Sequence, residues 1–466
     1  MYHWRLRRFF PLPARERHMY LVGKSGCGKT TLLQSLALIT KLNAKWYEWR
    51  KLGFPNRNQT LVVFDPHGDF AEELAHHAMF AADFGAFPKS PNLIYVDPLL
   101  GSAQGKFPVL NPLEISVKNP SADVVNLRAE VLTATLNSLF THHSLSATMQ
   151  TIFLPCLHVL LRRKGSTLFD LLRFMNSATS QDLWEQGCKL PLPAHRHFFQ
   201  VAFRNRRFFP TKAAIANRLQ HLLNHPVCAQ VLASGKSTFD WSQALNSGKT
   251  IVVNVALGRL GAFTTALFLK FFTALTLATA LERVQRPQQF RCPIWLFIDE
   301  MRYAVCPQME AILTDARKFG LHLVLACQAY GQGVSPVMNS LILGNTGIHV
   351  SGSCGAASQQ AMSREMDVKK GEFAHLRTGK FLLKRDGLPS QKICLSALDV
   401  VPRRTKKHVF KRDLGQLSPR ERRRANLMTL RQWEKLCQFQ IARYYRLISL
   451  PRGSQTRIGS SPFSRQ

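Results

Sequence analysis

Short runs that are apolar at nearly every position recur along the chain, at residues 19–22, 61–64, 93–96, 251–255, 294–298 and 322–326. A strand with one wet face alternates apolar and polar side chains, whereas a continuous apolar run belongs to a strand covered on both faces. Several of these runs end in Asp or in a turn. The pattern therefore predicts an α/β fold around a mostly parallel central sheet, with residues 381–383 and 393–395 as added edge strands. From about Ala122 to Leu232 the period becomes helical, as in Leu127, Val131, Leu132, Leu136 and Leu139, and strand signals fade. This stretch is rich in Arg and His (Arg162, Arg163, Arg173, His195, Arg196, His197, Arg204, Arg206, Arg207, Arg218) and reads as an all-helical domain inserted after the loop Phe107-Pro108-Val109-Leu110-Asn111-Pro112. Residues 263–281 approach the length of a membrane span, but Lys270 and several threonines interrupt them between two strand-like segments, which predicts a core helix instead.

Charge changes the picture more than size does. The 466 residues suffice for about three average domains, or for one large core with an insertion. Lys and Arg number 62 against 28 Asp and Glu, for a net charge of +34 and a pI near 10.4. Such an excess favours a polyanionic partner, nucleic acid first and an anionic membrane surface second. Residues 402–466 carry 17 Lys and Arg against 3 Asp and Glu, or +14 of the +34, so the remainder is basic too. Like-charge blocks of this kind form interaction tails, and within this one residues 427–447 have the spacing of an amphipathic helix (Leu427, Leu430, Trp433, Leu436, Phe439, Ile441). Ten cysteines occur without a single C-x-x-C pair, which speaks against a metal cluster and for reduced thiols in a cytoplasmic protein. The first ten residues are basic and aromatic and lack the apolar stretch of a signal peptide.

The chemistry concentrates in two places. Residues 23–30 read Gly-Lys-Ser-Gly-Cys-Gly-Lys-Thr, a full match to G-x-x-x-x-G-K-[ST], between an apolar strand and the helix-forming run that starts at Thr31. Glycines let backbone N–H groups close around an anion, and the new helix aims its positive end at the same point. Gly23, Ser25, Gly26, Cys27, Gly28, Lys29, Thr30 and Thr31 are thus candidates to hold a nucleoside triphosphate. Lys29 is the candidate to reach its β- and γ-phosphates, and Thr30 to ligate Mg²⁺. The second place is Ile294-Trp295-Leu296-Phe297-Ile298-Asp299-Glu300, a central strand with an acidic pair at its C-terminal end, where open parallel sheets bind ligands. Asp299 suits Mg²⁺, directly or through water, and Glu300 suits the base that deprotonates an attacking water.

Three further segments bear on that site. Residues 313–320 close a helix with a glycine stop, and the next strand ends in Gln328, whose amide could sense a γ-phosphate or position water. Arg317 could reach a triphosphate bound by a neighbouring subunit, or could simply be a surface charge at a helix C-terminus. Asp65-Pro66-His67-Gly68-Asp69 ends the second strand; Asp65 could lie near the nucleotide or its metal, turn chemistry alone also explains the segment, and His67 reads as structural.

In this order, the segments resemble the HerA/FtsK superfamily of ring-forming DNA-pumping ATPases, and within it the conjugative coupling proteins of the TraD/TraG type. The likeness rests on residues 18–30, the D-P-H-G-D turn, Asn111-Pro112-Leu113, residues 248–254 with Gly258 to Gly261, F-I-D-E, A-R-K-F-G and the strand ending at Gln328, and spans roughly residues 15–400. It implies a RecA-like P-loop core in two parts (18–118 and 236–401), an all-helical insertion (119–235), a basic arm (1–17) and a basic C-terminal tail (402–466). It further implies ATP and Mg²⁺ as ligands, DNA as partner and a homo-hexamer that works with membrane-associated transfer or secretion machinery. The location that follows is cytoplasmic, or peripheral at the inner face of the membrane. The family places Mg²⁺ on the residue matching Asp299, base catalysis on Glu300, and finger or sensor roles near Arg317 and Gln328. Family members usually carry N-terminal membrane helices, which this sequence does not show. A viral genome-packaging or virion-extrusion ATPase, a secretion ATPase that moves protein, and a non-hydrolysing nucleic-acid binder stay open as alternatives.

Overall fold

A computed structural model describes residues 17–49, 59–77, 92–115, 120–139, 147–395, 428 and 430–448; the arm before residue 17 and most of the 402–466 tail lie outside these residues. The apolar runs become strands β1 (His18–Val22), β2 (Thr60–Asp65), β3 (Leu93–Val96), β5 (Thr250–Asn254), β6 (Ile294–Ile298) and β7 (Leu321–Cys327). A two-residue strand β4 (Lys106–Phe107) lies between β3 and β5 in sequence. Strands β8 (Thr346–Ser351), β9 (Lys380–Arg385) and β10 (Gln391–Cys394) complete a nine-stranded sheet in the order β10-β9-β8-β1-β7-β6-β2-β5-β3. Pairing is parallel from β8 to β3, and the β9–β10 hairpin is antiparallel at one rim.

The period of two sorts each strand into two cores, as a sheet covered on both faces requires. Tyr20, Val22, Phe64 and Ile298 face one core, together with Phe268 and Phe272 of the helix Ala262–Leu281. Leu21, Val63, Phe297 and Val324 face the other, with Leu32, Leu33 and Leu36 of the helix Lys29–Trp49. The helix Ala262–Leu281 is long and apolar enough to cross a membrane, but it is buried under the sheet and packs on the helix Ala122–Leu139. Between β4 and β5 the elements among the described residues are all helices, including Ala122–Leu139, Ala147–Arg162 and Phe209–Leu223.

Two elements depart from the sequence pattern. Strand β8 sits beside β1 in the interior of the sheet although it reads Thr-Gly-Ile-His-Val-Ser, because its polar side chains are satisfied where they are buried. Thr346 Oγ1 lies 2.6 Å from His349 Nε2, and His349 Nδ1 lies 3.2 Å from Glu365. The second departure is in the basic tail, where residues 430–448 are built into the body of the protein. The helix Leu430–Tyr444 covers the open rim of β3, and β11 (Arg446–Leu447) pairs antiparallel with β4. Gln440 stands in for a missing strand. Its amide accepts from Tyr95 N–H at 3.0 Å and donates to the Leu93 carbonyl at 2.9 Å, which closes an edge that would otherwise invite another chain. The Tyr445 hydroxyl accepts from Asp97 N–H at 3.0 Å and donates to the Tyr95 carbonyl at 3.0 Å. Trp433 stacks on His76, ring centroids 3.8 Å apart.

Candidate nucleotide site

The glycine-rich loop leaves the C-terminal end of β1 and turns into the helix Lys29–Trp49. Gly26 (φ 78°) and Gly28 (φ 99°) adopt backbone angles that side chains resist, which is why glycine stands there. The loop is anchored outside: Gly23 N–H donates to Cys327 O at 3.1 Å and Lys24 N–H to Ser353 O at 2.8 Å. The first turn of the helix leaves amide N–H groups without intrahelical partners, directed at the space in front of the loop.

That space is a cavity of about 820 Å³. Ser25, Gly26, Gly28, Lys29, Thr30 and Thr31 line it from one side, and Asp65, Asp299, Glu300 and Gln328 from the strand ends. Gly23 and Cys27 stand behind the lining. The Cys27 thiol is buried so closely behind Gly23 that a Cβ there would come within 2.6 Å of the sulfur, and burial raises its pKa.

Lys29 is 7% exposed; its ammonium donates to the Gly23 carbonyl at 2.5 Å and lies 3.9 Å from Glu300 Oε1. Thr30 Oγ1 donates to Asp299 Oδ2 at 3.3 Å, across 269 residues of sequence. Asp299 and Glu300 are 4% and 2% exposed, and among the described residues neither Asp299 Oδ1 nor Glu300 Oε2 has a hydrogen-bond partner. Buried acceptors are almost always satisfied, so two free ones in one cavity mark places for a ligand. Burial pushes the Asp299 carboxyl above its usual range, against the pull of the Lys29 ammonium. Glu300 takes a left-handed backbone (φ 56°, ψ 67°), a strained state for a residue with a Cβ and one that accumulates at functional sites. A divalent cation fits this donor set: one hydroxyl, one carboxylate with an oxygen to spare, and a second carboxylate one residue on.

Asp65 also lines the cavity, yet both its oxygens are engaged, by His67 N–H at 2.8 Å and Ala71 N–H at 2.9 Å. It ties off its own turn and the start of the helix Asp69–Ala75, as turn chemistry predicts. Gln328 follows β7 directly and reaches the cavity. Arg317 does not. It is exposed and precedes β7, at the opposite rim of the sheet, roughly 20 Å from the strand's far end at about 3.3 Å per residue.

Several lining residues had no sequence signal. Lys24 and Phe70 line the cavity from known motifs, whereas Thr378, Gly379 and Leu395 come from the hairpin rim. Arg302 Nε stands 3.8 Å from Glu300 Oε2. Two sets of arginines on the helical insertion differ in their surroundings. Arg163 and Arg173 are engaged by Asp170 and Asp182, while Arg196, Arg204, Arg206 and Arg207 are exposed, with Arg204 stacked 3.8 Å over Trp184.

Residues 144–335, from the insertion through β7, match the family described as the type IV secretion-system coupling protein DNA-binding domain. Among solved structures, the plasmid coupling protein TrwB in complex with the ATP analogue ADPNP is similar at 17% identity and a TM-score of 0.57, over 83% of this chain and 87% of that one. The chain has the coupling-protein fold. TrwB in complex with ADP and Mg²⁺ gives 17% identity and a TM-score of 0.55 over 83% and 87% of the two chains. VirB4 of Thermoanaerobacter pseudethanolicus gives 14% and 0.50 over 82% and 89%. No curated protein matches the sequence. The coupling-protein fold accounts for the parallel P-loop core and its helical insertion together.

Proposed function

We propose that this protein is an ATP-hydrolysing motor that moves DNA, acting as a homo-hexameric ring at a membrane-associated transfer machinery. The observation that carries this reading is the meeting of Lys29 and Thr30 with Asp299 and Glu300 around one cavity. ATP and Mg²⁺ are the ligands that TrwB's complexes suggest for it. When bound, the metal–triphosphate supplies the reacting phosphoryl group and the cation that offsets its charge. Thr30 and Asp299 are the residues to hold Mg²⁺. The desolvated Lys29 ammonium binds the β- and γ-phosphates, and Glu300 Oε2, which lacks a hydrogen bond although Arg302 Nε stands 3.8 Å away, accepts a proton from water. Gln328 orients that water from the end of β7. Arg317, exposed at the far rim, suits a role toward the triphosphate of a neighbouring copy.

Contact with DNA falls to the exposed arginines of the insertion, within the region that matches a DNA-binding family. A motor that tracks a phosphate backbone needs electrostatic, sequence-tolerant contact, and a net charge of +34 supplies it. The test is ATP turnover with and without single- and double-stranded DNA, beside Lys29→Ala. DNA should stimulate the wild type, and Lys29→Ala should abolish hydrolysis. A rate indifferent to DNA overturns the DNA-moving reading.

A further inference from the structure

A phosphate-binding loop must do two things with each peptide plane: turn the N–H toward the anion and give the opposing carbonyl a partner elsewhere. Because the peptide unit is planar and trans, fixing one end fixes the other. The carbonyl of Cys27 accepts from Gly379 N–H at 2.9 Å, so the Gly28 N–H of the same peptide points the other way, into the cavity. The carbonyl of Gly26 accepts from Thr378 Oγ1 at 3.3 Å, which sets the neighbouring plane and leaves Cys27 N–H to close a turn onto Lys24 O at 3.2 Å.

The donor side is built to hold still. Gly379 has φ 78°, a left-handed backbone, and a Cβ there would come within 3.3 Å of the Leu395 carbonyl. Leu395 N–H donates to Gly379 O at 2.7 Å and Lys380 N–H to Arg377 O at 2.9 Å, so the turn is fixed from both strands of the β9–β10 hairpin. The approach is close on the loop side as well: a Cβ on Gly28 would lie 3.3 Å from Gly379 N. The antiparallel rim of the sheet, which contributes no charged group to the cavity, thus reaches over the loop from outside.

We propose that Thr378 and Gly379 are positioning residues for nucleotide binding, holding the phosphate loop in its anion-binding form through the Gly26 and Cys27 carbonyls. This rests on the nucleotide reading of the same cavity. It places control of affinity on a segment some 350 residues from the loop in sequence, and it separates affinity from turnover. Their hydrogen bonds go to loop carbonyls and not to Lys29, Thr30, Asp299 or Glu300, so their loss weakens binding and leaves the chemical step to Glu300.

The test uses the full chain, with a fluorescent ATP analogue for Kd and steady-state turnover for KM and kcat. Thr378→Val keeps the shape and removes the hydroxyl. It should raise Kd and KM by at most about threefold, the loss of one exposed hydrogen bond, with kcat within twofold of wild type. Thr378→Ser restores the donor and should restore Kd. Gly379→Ala forces a Cβ into the left-handed turn and should raise Kd at least tenfold, beside a small drop in the thermal midpoint of the nucleotide-free protein from the strain at that turn. Wild-type Kd in both Thr378→Val and Gly379→Ala overturns the proposal, as does Thr378→Ser behaving like Thr378→Val, or kcat falling while KM holds. A wild-type chain that binds no nucleotide overturns this proposal together with the motor reading. A wild type that binds nucleotide but ignores DNA overturns the DNA-moving reading alone.

Discussion

Adjacent strands β2 and β6 both end in buried carboxylates at the same rim of the sheet, and the two ends are finished differently. After β2, Asp65 turns back on its own chain, and each of its oxygens takes a backbone N–H within the next six residues. After β6, Asp299 and Glu300 keep one oxygen each without a hydrogen bond among the described residues, and Glu300 does so on a strained backbone. A buried charge with filled acceptors belongs to the architecture. A buried charge with an empty acceptor is costly unless something outside the polypeptide completes it. Under the proposed function, one acidic turn does structural work and the other chemical work, although both face the same cavity.

Removing the base should give the largest difference. Glu300→Gln keeps size and burial but cannot take a proton, so turnover should fall by about 10²–10⁴ while ATP-analogue affinity changes little. Asp299→Asn should come next, raising the Mg²⁺ concentration needed for half-maximal turnover by about 10–100-fold, read from a metal titration. Asp65→Ala should do the reverse. Two backbone N–H groups lose their acceptor, costing about 1–3 kcal/mol of stability by denaturant titration, with turnover of the folded fraction within tenfold. An Asp65 variant that folds normally yet loses turnover as Glu300→Gln does would break the contrast.

The smallest effect is a pH slope. Burial raises the Asp65 carboxyl to about 6, its backbone donors opposing the shift only in part. The folded chain therefore holds this proton more tightly than the unfolded chain. Stability of the nucleotide-free protein should decline as pH rises from about 4 to about 6, and Asp65→Asn should flatten that decline. Thermal midpoints across this range check it.

Wherever burial is apolar, the sequence announced it. The runs at β1, β2, β3, β5, β6 and β7 needed no context, because strands covered on both faces leave no room for polar side chains. The phosphate loop was equally plain, since its glycines and lysine are required by local geometry. Strand β8 was missed because Thr346 and His349 are satisfied by each other and by Glu365, a partnership that no window of sequence displays. Thr378 and Gly379 were missed for a related reason: their role is a contact with carbonyls, and carbonyls carry no residue identity. The helix at residues 430–444 was legible from its spacing, but not the use of Gln440 as a strand surrogate, which depends on where β3 ends up.

That surrogate has a consequence in time. Gln440 and Tyr95 are 345 residues apart, so the rim strand leaves the ribosome long before its cover. At ordinary synthesis rates of about 5–20 residues per second, the gap is roughly 20–70 s. For that interval the N–H and C=O groups along β3 are available to any extended segment nearby, including the same strand on another nascent chain.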